Sequence, residues 1–271
     1  MGRAIDHRRS TTDAANDGAH RGHRVIQQGG AMNYNWNSAI FFDLSPEGGV
    51  TYTQTLLTGL KWTILTALCA WAIGFSVGLV IGVLRTLPSK TANLVGTVYV
   101  ELFRNVPLLV QMFLWYFVLP EVLPTATGDW LEQLPYAPFY TGVLCLGLFT
   151  ASRVAEQVRA GIQALPRGQR MAGTPMGFTT AQTYRYVLLP NADRIILPPL
   201  TSEFLSNLKN TSVMLTIGVV ELTAAARSMQ EFSFQVFEAF TAATVLYIII
   251  NLAVVALATL LERFIAIPGQ R

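Results

Sequence analysis

Residues 156–192, EQVRAGIQALPRGQRMAGTPMGFTTAQTYRYVLLPNA, set the reading of the whole chain. The segment is polar and is punctuated by Pro166, Gly168, Gly173, Pro175, Gly177 and Pro190, yet apolar runs adjoin it on both sides. Pro and Gly divide it into short pieces, which predicts a helix, a turn and a second helix rather than one continuous rod. Such a segment between two apolar runs is an internal loop outside the hydrocarbon layer, suited to docking another protein.

The flanking sequence is membrane sequence. Over 271 residues the chain is 52% hydrophobic and 13% charged, with a mean hydropathy of +0.41, too apolar for an ordinary soluble domain. The apolar residues gather in runs of roughly 20, the length of a spanning helix, and not in the short alternating strands of a barrel. The net charge of +3 and pI near 9.0 come with no basic, aromatic-interleaved surface, so no nucleic acid partner is expected. Cys69 and Cys145 sit inside apolar runs as small hydrophobes, with no metal-ligand spacing.

The expected fold class is an all-α integral membrane protein with five transmembrane helices, at roughly 60–84, 94–119, 139–154, 195–220 and 239–261, within a membrane domain of about 60–265. In the first, Gly74, Gly78 and Gly82 recur every four residues and offer one face for close helix packing. The second is interrupted by Glu101, Arg104, Asn105, Pro107 and Gln111, and the fourth by Glu203, Asn207, Lys209 and Asn210. Residues 32–59, with Trp36, Phe41, Phe42 and Tyr52, read as an amphipathic lead-in at headgroup level. Residues 1–31 are polar, hold His7, His20 and His23, and read as a disordered arm or an over-extended start ahead of Met32.

Flanking charge orients the spans. Arg85 and Lys90 follow the first, while residues 153–194 hold Arg153, Arg159, Arg167, Arg170, Arg185 and Arg194 against Glu156 and Asp193. These loops are assigned to the cytoplasm, and the loops with Glu121, Asp129 and Glu132, and with Glu221, Glu231 and Glu238, to the outside. The body of the chain then starts in the periplasm and ends in the cytoplasm.

The polar segment also resembles the EAA loop of bacterial ABC import permeases, with its Glu-Ala-Ala, three residues, Gly, nine residues, then Ile-x-Leu-Pro. Gly177, Val187, Leu189 and Pro190 stand at that spacing, whereas Met171, Ala172 and Gly173 replace Glu-Ala-Ala and Pro175 is a second departure. YVELFRNVPLLVQMFLWYFVLP and LPPLTSEFLSNLKNTS extend the resemblance to the polar amino acid subfamily, and within it to glutamate/aspartate permeases. The resemblance implies the type I ABC importer transmembrane domain in the bacterial inner membrane, with 156–194 as a cytoplasmic coupling loop. It places Arg170, Met171, Ala172, Gly173, Thr174, Met176 and Gly177 at the ATPase contact. It further implies a second permease subunit, identical or homologous, two ATP-binding cassette subunits and a periplasmic amino-acid-binding protein. No Gly-x-x-x-x-Gly-Lys-Ser/Thr occurs in this chain, so ATP belongs to the partner and no cofactor or catalytic residue is expected.

An amino acid in transit presents a carboxylate and an ammonium, and the two interrupted spans supply groups for both. Lys209 is the expected carboxylate partner, helped by Asn207, Asn210, Thr211 and Ser212, and Glu203 the expected ammonium partner. Arg104 and Gln111, seven residues apart, can face one pathway with Glu101 beside them and Pro107 bending the helix between. Equally, Glu101 and Arg104 can form a structural pair, and Glu203 and Lys209 can serve packing or snorkel. A secondary amino acid transporter or channel would also carry interrupted spans, but would need no docking loop; a membrane enzyme is disfavoured by the absence of His from the membrane body.

Overall fold

In a hydrocarbon layer every backbone N–H and C=O must find its partner within the protein, and here the apolar runs do so as helices. The structure, a computed structural model, describes residues 34–46, 48–171 and 175–265; the arm 1–31 and Ala172, Gly173 and Thr174 lie outside the described residues. Of the unit Met1–Asn37 only 34–37 are described, with the rings of Tyr34 and Trp36 edge to face at 6.5 Å; the rest of the chain is a second unit.

That second unit opens with a single turn, Ser38–Phe42, and then runs α1 (Tyr52–Leu84), α2 (Lys90–Asn105), α3 (Leu108–Val122), α4 (Thr125–Glu132), α5 (Ala137–Ala164), α6 (Arg167–Met171), α7 (Thr180–Ile217), α8 (Leu222–Ser233) and α9 (Val236–Ile265). There is no strand longer than an isolated bridge, Leu44 to Thr51, among the described residues. Among these helices α1 and residues Val236–Glu262 of α9 are each long and apolar enough to cross a membrane. The pairs α2 with α3, α4 with α5 and α7 with α8 are bent by 99°, 105° and 49°, and bring the number to as many as five if each pair is one crossing.

The α1–α5 seam is the centre of the fold. A methyl added at Gly78 would lie 2.6 Å from Val154 Cβ, one at Gly82 2.6 Å from Val158 Cβ, and one at Gly74 3.0 Å from Thr150 Cβ. The glycines expected to form a packing face therefore do so, letting the two backbones approach where no larger residue fits. Around the seam, Met112, Leu146 and Met214 join α3, α5 and α7; Val158, Leu188 and Ile196 join α5 to α7; and Leu56, Leu222, Met229 and Ala243 join α1, α8 and α9.

Helix boundaries depart from the expected spans for local reasons. α1 starts at Tyr52, inside the stretch read as a lead-in, because Thr51 and Gln54 form a capping box in which each side chain accepts from the other's backbone N–H. The second span is not one helix: Pro107 follows Val106 in extended backbone, and the chain turns there. α5 continues ten residues beyond the expected end at Val154, to Ala164, so residues 156–164 belong to a helix rather than to a loop. Its polar residues find partners, Arg153 on Glu203 and Glu156 on Arg85, and the helix stops only where Leu165 turns extended ahead of Pro166.

Two wide turns, Leu114–Val118 and Tyr184–Leu188, each precede a Leu-Pro step. Leu119 N–H bonds Leu114 O and Leu189 N–H bonds Tyr184 O, five residues back. One extra residue per turn relieves the ladder just where Pro120 and Pro190 have no N–H to give.

Candidate functional site

The last stretch of α7 is where the sequence stops supporting an α-helix. Thr211, Val213, Thr216 and Ile217 are β-branched, and Thr211, Ser212 and Thr216 donate their hydroxyls to the carbonyls of Leu208, Lys209 and Val213, three residues back, at 2.7–2.8 Å. Residues Thr211–Ile217 accordingly tighten into a 3-10 helix, which ends at Gly218 with φ +91°. This transition holds Lys209 and Ser212 one turn apart beside a cavity of about 670 Å³.

Thr223 of α8 and Thr244, Tyr247 and Asn251 of α9 complete the polar lining, and Leu205, Ile248, Leu252 and Val255 the apolar lining. Lys209 is exposed and has no ion-pair or hydrogen-bond partner for its ammonium among the described residues. Beside the cavity the Glu221 carboxylate is fully buried. It caps α8 by accepting from Thr223 N at 3.0 Å and Ala224 N at 2.9 Å, and it accepts the Tyr247 hydroxyl at 2.9 Å.

The other expected pathway residues are dispersed. Glu203 accepts from Arg153 Nε at 2.7 Å and from Gln157 at 3.4 Å, so its charge is already matched between α5 and α7. Asn207 is buried and spans three helices, accepting from Thr150 Oγ1 at 3.1 Å and donating to Ala67 O at 2.9 Å. Asn210 closes the α-helical part of α7 without a side-chain cap and does not line the cavity. Arg104 and Gln111 do not share a face, because the 99° bend between α2 and α3 cancels their two-turn spacing. Gln111 turns inward and donates to the freed carbonyls of Phe103 and Val106, each at 2.8 Å. Arg104 reaches Glu156 at 3.6 Å, and Glu101 accepts from Asn105, so Glu101 and Arg104 are not a pair.

At the base of the polar segment, Glu156 gathers Arg85 at 2.5 Å and Arg159 at 2.6 Å. Tyr184 donates its hydroxyl to Thr86 Oγ1 at 3.1 Å, tying α7 to the turn after α1. Beyond these anchors Met171 and Met176 are exposed, 67% and 65%, and Gly177 adopts φ +71°, a conformation that favours glycine. Arg170 ends the short α6 with Met171.

Residues 53–267 match the family described as the binding-protein-dependent transport system inner membrane component. The chain belongs to this family. The permease is 48% identical over 242 residues to the glutamate/aspartate import permease protein GltJ of Escherichia coli (strain K12), covering 88% of this chain and 98% of that relative. It is 33% identical over 208 residues to the glutamine transport system permease protein GlnP of the same strain, covering 77% and 91%. A chain from the crystal structure of an amino acid ABC transporter with histidines superposes with a TM-score of 0.67 at 33% identity, over 78% of this permease and 94% of that chain. An inward facing methionine transporter, MetNI, shares the fold with a TM-score of 0.60 at 17% identity, over 80% and 96%. The fold is the type I ABC importer transmembrane fold.

Sequence reasoning missed Glu221, Thr223, Thr244, Tyr247 and Asn251. Thr244, Tyr247 and Asn251 stand at i, i+3 and i+7 in an otherwise apolar run, a polar stripe on one helical face that could have been read. Glu221 immediately precedes the amphipathic LTAAARSMQEFS, an N-cap position.

Proposed function

We propose that this permease carries an acidic amino acid, glutamate or aspartate, across the bacterial inner membrane by alternating access driven by ATP hydrolysis in separate subunits. The observation that carries the reading is Lys209, a cation beside a largely apolar cavity edged by hydroxyl and amide groups, with no carboxylate of its own among the described residues. A lone ammonium in the membrane body is costly unless an anion visits it, and the solute's carboxylate is such an anion. The likeness to a glutamate/aspartate import permease over nearly its full length supports the choice of solute. Lys209 and Ser212 contact the solute; Glu203, Asn207, Asn210, Arg104 and Gln111 act behind them by holding the helices that frame the path.

In this reading the three bent pairs each count as one crossing, giving five, with the body's N-terminus in the periplasm and its C-terminus in the cytoplasm. The EAA-like loop lies in the cytoplasm, where Arg170, Met171, Ala172, Gly173, Thr174, Met176 and Gly177 seat in an ATP-binding cassette subunit. Two such subunits, a second permease subunit and a periplasmic binding protein complete the importer, and ATP is bound by the partners alone. Exposed Met171 and Met176 suit an apolar cleft, and the anchors Glu156–Arg85 and Tyr184–Thr86 would carry its motion into α5 and α1.

Proteoliposomes holding the permease, its ATPase and its binding protein should take up radiolabelled glutamate and aspartate only with ATP and binding protein together. Uptake by the permease alone on an ion gradient would overturn the reading in favour of a secondary transporter or channel. Orientation is read separately: in intact cells an impermeant maleimide should label Thr127→Cys and spare Gly168→Cys.

A further inference from the structure

A zwitterion needs an acceptor for its ammonium as well as a cation for its carboxylate, and no carboxylate lines the Lys209 cavity. Glu203 is matched to Arg153 across α5 and α7. Glu221 is fully buried and is bonded by Tyr247 and Thr223, both of which line the cavity. Its position fixes the direction of a short hydrogen-bond chain. A carboxylate only accepts, so the single proton of the Tyr247 hydroxyl goes to Glu221 Oε2 at 2.9 Å. Thr223 Oγ1 lies 3.0 Å from the Tyr247 oxygen, and with that proton committed Thr223 must be the donor between them. Thr211 also approaches the Tyr247 hydroxyl, but its own proton goes to Leu208 O, so the Tyr247 and Thr223 hydroxyls each keep a lone pair and neither has a proton for the cavity. Two backbone N–H groups and the N-terminus of α8 stabilise the charge that orders the chain.

We propose that Glu221 is a positioning residue that makes Tyr247 and Thr223 an acceptor-only wall for the α-ammonium of the amino acid whose carboxylate meets Lys209. The proposal rests on the reading of that cavity as the solute site. An ammonium has three donors and no acceptor, which suits such a wall, and an anion meets there only lone pairs. The cation and the acceptors come from different helices, α7 on one hand and α8 and α9 on the other, so a change in their spacing alters the fit of the zwitterion at both ends.

The test is direct titration of the purified permease–ATPase complex, without binding protein, with glutamate and with glutarate, which lacks the α-ammonium. Wild type should bind glutamate at least tenfold more tightly than glutarate. Tyr247→Phe, which keeps the ring, should weaken glutamate about tenfold and leave glutarate unchanged, whereas Lys209→Met should weaken both. Glu221→Gln, whose amide can donate to the tyrosine and reverse the chain, should reduce the preference for glutamate at least fivefold, and Glu221→Asp should restore part of it. Equal weakening of both ligands by Tyr247→Phe, or equal binding of both by wild type, overturns the ammonium assignment and leaves the cavity as the carboxylate site. Binding of neither ligand by folded wild type overturns the cavity reading and this proposal with it. An undiminished preference for glutamate in folded Glu221→Gln overturns the positioning role, and if neither Glu221 variant folds, an undiminished preference in Thr223→Val, which removes the second hydroxyl of the ordered pair, does so instead.

Discussion

The elbow between α2 and α3 and the tightened end of α7 are the two polar interruptions of the membrane body, and they end differently. Each brings a cation and an amide into apolar sequence. At the elbow the chain turns by 99°, which strips carbonyls of their helical donors, and Gln111 is spent on Phe103 O and Val106 O. Arg104 leans on Glu156. At the end of α7 the helix narrows instead of breaking, and Thr211, Ser212 and Thr216 meet the carbonyls with their own hydroxyls. Lys209 then has nothing structural to satisfy. Inside a bilayer the backbone claims polar side chains first, and what remains is available to a solute.

The contrast can be broken at four places. Lys209→Met should lower uptake about a hundredfold, the loss of about 3 kcal/mol from a charged contact, while thermal unfolding in detergent stays within about 2 °C of wild type. A matching fall in melting temperature would make Lys209 a structural residue. Asn207→Leu should do the reverse, leaving the buried Thr150 hydroxyl without its partner and removing the tie to Ala67 O at a cost of about 1–3 kcal/mol in denaturant titrations, with uptake per folded molecule nearly normal. Gln111→Leu should cost about 1–2 kcal/mol in the same titration, and a transport defect exceeding the loss of folded protein would count against its structural assignment. Arg104→Gln, at a half-exposed pair 3.6 Å long, should shift stability by less than about 0.5 kcal/mol.

Much of this was legible beforehand. The seam glycines announce themselves by a four-residue period on an apolar background, and Pro107 announces a break, though not its angle. The continuation of α5 to Ala164 was hidden, because Arg153, Glu156 and Gln157 look like loop residues until their partners at the end of α1 and on α7 are known. Those partners are 46 to 71 residues away in sequence, beyond any local pattern. The division among Glu203, Asn207 and Lys209 was equally hidden. They share one short run, and only the rotation of α7 against its neighbours decides which side chains meet protein and which meet the cavity.

The glycine seam has a mechanical consequence. Where α1 and α5 touch through backbone and Cβ atoms, no flexible side chain lies between them to take up slack, so they behave as one stiff lever. Its loop end is the cluster of Glu156 with Arg85, and at its other end Gly59 of α1 rests against Ala225 and the backbone of Glu221 and Leu222, at the cap of α8. A push delivered at the first end would be passed along this lever to the cap of α8, where Glu221 sits.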